Sequence, residues 1–125
     1  IGRPCKVGKE QIAGLVTALK QFVDADESAR REGWLSTVNE IADGLRQIND
    51  AEVRVSDGGA IPSVQIRIAS VDGMTLMKRL NAHMPSVHAN ASRVHEDTIV
   101  LNPVCLRDGD VGLLVQAFKD VSHPE

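Results

Sequence analysis

The sequence predicts an α+β fold, in which a small, mostly antiparallel sheet has helices on one face and follows a long amphipathic helix. Three observations predict this fold. Apolar residues recur at helical spacing near both ends of the chain, and two central segments alternate apolar with polar residues, as half-buried strands do. A glycine-rich stretch between those segments predicts a hairpin turn. At 125 residues, the chain has the size of one domain, residues 1–125.

The first 48 residues contain two helical patterns. The first pattern predicts a helix over 8–26, and the acidic stretch "DADES" at 24–28 ends it and offers N-caps for a second helix that runs to about Ile48. The apolar stripe of the first helix consists of Ile12, Leu15, Val16, Leu19, Phe22 and Val23. The buried stripe of the second consists of Trp34, Val38, Ile41, Leu45 and Ile48.

The middle of the chain predicts two antiparallel strands. Valines 53 and 55 alternate with charged neighbours, and the apolar residues 64, 66 and 68 alternate with Gln65 and Arg67. The segment "SDGGAIP" between them predicts the turn. One face of this pair is apolar and the other polar, which is typical of a sheet covered by helices on one side.

The remaining residues predict a helix, a second hairpin and a closing helix. Asp72 caps the first of these helices, which continues to about Ala82 and ends before Pro85. Its inward residues are predicted to be Met74, Met77 and Leu80. Two short strands are expected around the "HED" turn, the second at Thr98–Leu101. The closing helix starts at Asp108 or Asp110 and has the stripe Val111, Leu114, Val115, Phe118 and Val121.

Composition argues against several classes of function. The net charge is -3 and only Phe22, Trp34 and Phe118 are aromatic, so neither a basic field nor a stacking surface indicates nucleic-acid binding. Cys5 and Cys105 have no C-x-x-C spacing, and the four histidines lack metal-ligand spacing, so we expect no metal site. No apolar run or signal-peptide pattern indicates a membrane or secretion, and we expect a cytoplasmic location.

A basic loop precedes the first helix. Arg3, Lys6 and Lys9 lie within seven residues of one another, although the helix dipole disfavours cations at a helix N-terminus. The loop is interpreted either as a binding site for a phosphate or carboxylate, or as a solvated basic surface.

Arg93 is the second candidate for anion binding. It lies beside a predicted strand, and the sequence shows no obvious local partner for it. Its guanidinium is interpreted either as a bidentate ligand for a carboxylate or as an exposed charge on an edge strand.

Two long stretches resemble a known family. The segment "IGRPCKVGKEQIAGLVTALKQF" resembles the segment after the cofactor lysine in pyridoxal-phosphate enzymes related to bacterial selenocysteine synthase. It is most similar to the branch that includes D-glucosaminate-6-phosphate ammonia-lyase, whose "GR-x-M-K-V-G-K-E" run stands here at residues 2–10 with Cys5 in place of methionine. The segment "MPSVHANASRVHEDTIVLNPVCLRDGDVGLLVQAF" is similar to the family's C-terminal strands and closing helix.

This resemblance implies a particular place in a larger enzyme. Residues 8–26 would be an interdomain linking helix, and 27–125 the C-terminal small domain of an enzyme with the aspartate-aminotransferase fold. The Schiff-base lysine is expected upstream of Ile1, so this chain alone is expected neither to hold the cofactor covalently nor to turn over substrate. The expected partners are a missing N-terminal catalytic domain, a further copy of the chain in a homo-oligomer and a small-molecule substrate, without membrane or nucleic acid.

The resemblance also implies a reaction class. The parent would be a lyase or transferase for an amino acid or amino sugar acid, with β-elimination of the ammonia-lyase type and a selenium transferase as an alternative. Pyridoxal phosphate would supply the electron sink. Arg93 matches the family's hairpin arginine for the substrate carboxylate, and Arg3, Lys6 and Lys9 are candidates for a phosphate or carboxylate.

A hypothesis from a different class remains open. The same elements are compatible with a free-standing α+β module for binding or dimerisation. Such a module is expected to bury the apolar stripe of its first helix internally, whereas a linking helix is expected to leave it for another domain or a second copy. The exposure of that stripe therefore discriminates between the two hypotheses.

Overall fold

The structure is a computed structural model that describes residues 7–122. It confirms the α+β class, and the chain divides after Arg30 into two compact units. The elements in chain order are α1 (Lys9–Asp24), α2 (Glu27–Leu45), β1 (Ala51–Ser56), β2 (Ser63–Ile68), α3 (Gly73–Ala82), a 3-10 turn (Val94–Glu96), β3 (Ile99–Leu101) and α4 (Asp110–Val121). None of the helices within residues 7–122 combines the length and apolar composition needed to cross a bilayer.

The first unit consists of α1 and the start of α2. The amide of Gly8 donates to Oε1 of Gln11 at 3.0 Å, which satisfies one free donor at the start of α1. No residue of α1 is buried, and each side chain of its apolar stripe is at least 52% exposed. Within the predicted capping stretch 24–28, the residue that caps α2 is Asp26, whose Oδ1 accepts the amides of Ser28 and Ala29.

The second unit contains a three-stranded antiparallel sheet in the order β1-β2-β3. Val53 lies opposite Ile66 in the register of the first pair, which places the apolar residues of both strands on one face. The predicted turn occupies residues 57–62. The guanidinium of Arg31 forms an ion pair with Asp57 and also donates to its backbone carbonyl at 2.8 Å, which ties the turn to α2.

A single hydrophobic core covers one face of the sheet. Apolar side chains from α2, α3 and α4 pack there against β2 and β3. Gly44 of α2 is needed for close packing on α4, because a Cβ at that position would lie 2.7 Å from Cγ2 of Val115. The buried apolar residues are Val38, Ile41, Ala42, Leu45, Ile48, Val64, Ile66, Ile68, Leu76, Leu80, Ile99, Leu101, Val111, Leu114, Ala117 and Phe118.

The prediction of a second hairpin is wrong for its first strand, which does not form. Only Asn90 pairs with Val100, as an isolated bridge, and β3 itself begins at Ile99. Local hydrogen bonds replace the strand: the Asn90 side chain accepts the amide of Ser92 at 2.8 Å, and the amide of Val94 donates to Ala91. Because these backbone amides already donate within the turn, they do not pair with a neighbouring strand.

The predicted inner face of α3 is also partly wrong. Met74 is 54% exposed, while Leu76 and Leu80 are fully buried and Met77 packs at the edge of the core. The close contact of Gly73 with the backbone at Val94 sets this rotation of the helix, because no side chain fits between them.

Candidate functional site

The outer face of the sheet carries charged side chains around an open pocket of about 190 Å³. These side chains come from the outward positions of β1 and β2 and from the turn before β3, because alternate residues of a strand point to opposite faces. We call this surface the charged sheet face. It is lined by Glu52, Arg54, Gln65, Arg67, Arg93, Glu96 and Thr98.

Arg93 lies at the centre of a hydrogen-bonded network on this face. Its Nη1 donates to Oε1 of Gln65 at 2.7 Å, and its Nε and Nη2 donate to Oε2 of Glu96 at 3.2 and 2.5 Å. The expectation that Arg93 has no local partner is therefore wrong, since Glu96 is three residues away on the same 3-10 turn. Arg93 also lies at the start of that turn rather than on a strand edge.

The Arg93–Glu96 ion pair shifts the titration of both groups. The hydrogen bonds from Arg93 hold the pKa of Glu96 below its usual value, and the same bonds raise the pKa of Arg93. The pair therefore stays ionised around neutral pH, and Arg93 keeps its charge while its donors point at Glu96 and Gln65.

The two other guanidiniums of the face differ from Arg93. Arg54 forms an ion pair with Glu52 on the same strand. Arg67 lies directly opposite Glu52 in the register of β1 and β2, and its side chain is exposed. Arg67 forms no hydrogen bond or ion pair with any residue from 7 to 122 in the structure.

The basic loop contributes only its last residue to the described part of the chain. Arg3 and Lys6 lie outside the described residues, and Lys9 is the exposed first residue of α1. Lys9 and Arg93 belong to different units of the chain. The anion-binding role of the loop stays a prediction. In the part of the chain that the structure describes, no three His, Cys, Asp or Glu side chains lie close enough to share a metal ion.

Comparisons with known proteins give two enzymes of greater length. No family model matches the chain. A Streptomyces sp protein, 5'-C-glycyluridine monooxygenase-decarboxylase, is 25% identical over 118 residues, which cover 88% of this chain and 30% of the relative. The solved structure of D-glucosaminate-6-phosphate ammonia-lyase matches with a TM-score of 0.79 at 18% identity, over 96% of this chain and 33% of that one. The fold of this chain is therefore the same as that of a segment that makes up one third of the ammonia-lyase.

The fold implied by the sequence resemblance is thus confirmed. The chain spans about a third of the length of both enzymes that it matches. At 18% identity to the ammonia-lyase, most side chains differ while the path of the backbone is shared. The shared backbone therefore assigns no role to the side chains of the charged sheet face.

Sequence reasoning missed Arg54, Gln65 and Arg67 as members of this site. The signal was present in the alternation that predicted the strands, since it places these three residues on the polar face. That these residues lie next to Arg93 could not be predicted from the sequence, because the contact between Arg93 and Gln65 joins residues 28 positions apart.

Proposed function

We propose that this chain is the small domain of a pyridoxal-phosphate-dependent lyase or transferase that acts on an amino acid or amino sugar acid. The match of 96% of the chain to one third of an ammonia-lyase structure carries the proposal. The 25% identity to a second enzyme, again over about a third of its length, supports the same arrangement. The reaction proposed for the whole protein is an elimination of the ammonia-lyase type.

The names of the two enzymes support the proposed substrate class. D-Glucosaminate-6-phosphate and 5'-C-glycyluridine both denote compounds with an amino group and a carboxylate. The named reactions differ, so the shared feature is the amino acid group of the substrate. A face with three guanidiniums is suited to that carboxylate, because guanidinium and carboxylate form paired, planar hydrogen bonds.

The described lysines do not fit a covalent site for pyridoxal phosphate. Lys9, Lys20 and Lys78 are exposed, and the ammonium of Lys119 donates to Oε1 of Gln47 at 3.3 Å. A Schiff-base lysine needs a desolvated or electrostatically activated position. We therefore propose that the cofactor lysine belongs to another part of the whole protein and that this chain contributes to substrate binding.

The exposed stripe of α1 supports an interdomain role for this helix. Six large apolar side chains are more than half exposed along one face, as a helix covered by another domain requires. A free-standing module is expected to bury this stripe internally, and no residue of α1 is buried.

The substitution Leu19→Glu tests the interdomain role of α1. It is made both in the 125-residue chain and in the product of the complete reading frame. In the 125-residue chain, the variant should leave the melting temperature unchanged, because Leu19 is 53% exposed. In the product of the complete reading frame that encodes these residues, it should lower the free energy of unfolding by about 2 kcal/mol or more, as expected when a charge replaces a buried Leu. Thermal and urea denaturation measure both effects.

Thr17→Glu is the matched control, because Thr17 is an exposed residue of the same helix outside the apolar stripe. It should be neutral in both proteins. The proposal is contradicted if Leu19→Glu is also neutral in both, if it destabilises the 125-residue chain, or if the complete reading frame encodes no further domain.

A further inference from the structure

The strand β1 forms an open edge of the sheet. The order β1-β2-β3 leaves one side of β1 without a neighbouring strand from residues 7–122. At the opposite edge, β3 is only three residues long, and Asn90 bridges to Val100 on its outer side. By contrast, β1 has six residues, contains no proline and pairs with β2 without a bulge. Because short strands, prolines and bulges are what usually protect a sheet edge, β1 is able to accept a further strand.

The backbone groups on the open side of β1 belong to its odd-numbered residues. Just beyond the two paired strands, the amide of Ala69 donates to the carbonyl oxygen of Asp50 at 3.1 Å. Hydrogen-bonded and non-hydrogen-bonded pairs alternate along an antiparallel ladder, so the even-numbered residues of β1 bond to β2. The amides and carbonyls of Val53 and Val55 therefore point to the open side, where no backbone group of residues 7–122 bonds to them.

We propose that β1 pairs antiparallel with β1 of a second copy of this chain, around a two-fold axis at Val53. The pairing joins two three-stranded sheets into one sheet of six strands. Val53 then lies opposite Val53 of the second copy, and Ala51 lies opposite Val55. The interface uses no residue of α1 and does not depend on the proposed function.

The charges on β1 select this register. An axis at Glu52 would place the two Glu52 carboxylates opposite each other, and an axis at Arg54 would do the same for two guanidiniums. An axis at Val53 places Glu52 opposite Arg54 of the second copy, and the symmetry creates this pair twice. Opposite charges stabilise directly facing residues of an antiparallel pair, whereas like charges destabilise them. The strand is therefore complementary to itself in one register.

Both faces of β1 suit a second copy. On the outer face, Arg54 forms an ion pair with Glu52 of its own strand, and each of these groups can exchange its partner for the same group of the second copy. On the inner face, Val53 and Val55 are only partly buried, whereas the residues opposite them on β2 are fully buried. A second β1 strand covers the exposed part of these valines, which favours association.

Sedimentation equilibrium of the 125-residue chain measures the association. The parent chain should form dimers between about 10 µM and 1 mM, as expected of a small interface. Hydrogen exchange followed by NMR locates the interface, because the amides of Val53 and Val55 should exchange more slowly as the dimer forms. A chain that stays monomeric would overturn the proposal. So would protection of these amides at every concentration, because another segment of the same chain would then occupy the edge.

Two single substitutions test the register. Arg54→Glu places a carboxylate opposite Glu52 of the second copy, and Glu52→Lys places an ammonium opposite Arg54. Both side chains are exposed, so both variants retain the core. Each variant alone should dimerise about tenfold more weakly than the parent or worse, because two opposite-charge pairs become like-charge pairs.

A mixture of the two variants provides the decisive result. Arg54→Glu and Glu52→Lys mixed in equal amounts should associate with each other about as strongly as the parent, because every facing pair is again of opposite charge. An absence of any gain on mixing would overturn the register and with it the proposal.

Two control variants exclude other causes of association. Arg107→Glu makes the same change of charge in the loop before α4 and should leave the affinity within about twofold of the parent. Leu19→Glu changes the exposed stripe of α1 and should leave the dimer intact. Equal losses in Arg54→Glu and Arg107→Glu, or a loss in Leu19→Glu alone, would overturn the proposal. The proposed function is decided separately, by α1 variants of the complete product and by the location of the cofactor lysine.

Discussion

At the scale of single residues, Gly73 fixes the turn that carries Arg93 and Glu96. Its amide donates to Oδ1 of Asp97 at 2.9 Å, and a Cβ on Gly73 would lie 2.7 Å from the carbonyl oxygen of Val94. The sequence predicted Asp72 as the cap of α3, and its carboxylate does accept the amide of Thr75. The role of Gly73 was not predictable, because its contacts join segments more than twenty residues apart.

Gly73→Ala should therefore lower the free energy of unfolding by about 1–3 kcal/mol, the usual cost of forcing a methyl group into a packed site. Gly112→Ala provides the control within α4, where an added Cβ meets nothing within 4 Å. That change should raise the free energy of unfolding by about 0.5–1 kcal/mol through helix propensity. Urea denaturation measures both variants, and a Gly73→Ala protein as stable as the parent would refute the close contact.

At the scale of elements, the sequence predicted helices and strands correctly where the evidence was an N-cap or an alternation of apolar and polar residues within a short segment. Asp26 caps α2 and the first hairpin forms as predicted. Two predictions failed for different reasons: Met74 lies away from the core on a helix whose Gly73 packs against Val94, and the segment around Asn90 forms a turn through its own local hydrogen bonds. Distant packing decided the first case, whereas local hydrogen bonds that the alternating pattern does not reveal decided the second.

The end of α3 is joined to α4 by a titratable contact. His83 contacts the carbonyl oxygen of Pro85 through Nδ1 at 3.1 Å and Oδ2 of Asp120 through Nε2 at 3.2 Å. The hydrogen bond to Pro85 and then the one to Asp120 raise the pKa of His83 above its ordinary value of 6.5. Its contribution to stability should be complete below pH 6.5 and be lost as the pH rises through the higher pKa of the folded state.

The measurement is the melting temperature of the parent chain and of His83→Gln across the neutral range, kept above about pH 5 so that Asp120 stays ionised. The difference between the two proteins should shrink as the pH rises, while the other histidines affect both equally. A difference that is independent of pH would contradict the charged contact between α3 and α4.

At the scale of the whole molecule, the fold was predictable from the sequence, but the pairing of the charged side chains on the charged sheet face was not. The resemblance of residues 2–10 and of the C-terminal segment to one enzyme family predicted the fold that the ammonia-lyase structure confirms. Strand alternation placed Arg67 on the polar face. Whether the guanidinium of Arg67 stays unpaired depends on which acidic groups pair with Arg54 and Arg93. Only the folded chain shows these pairs.

The location of the cofactor lysine decides whether this chain is the small domain of a larger pyridoxal-phosphate enzyme. The product of the complete reading frame is incubated with pyridoxal phosphate, reduced with borohydride to fix the cofactor on its lysine, and mapped by peptide mass spectrometry. One labelled lysine is expected, and it is expected outside these 125 residues. Label on Lys6, Lys9, Lys20, Lys78 or Lys119, or no label at all, would contradict it.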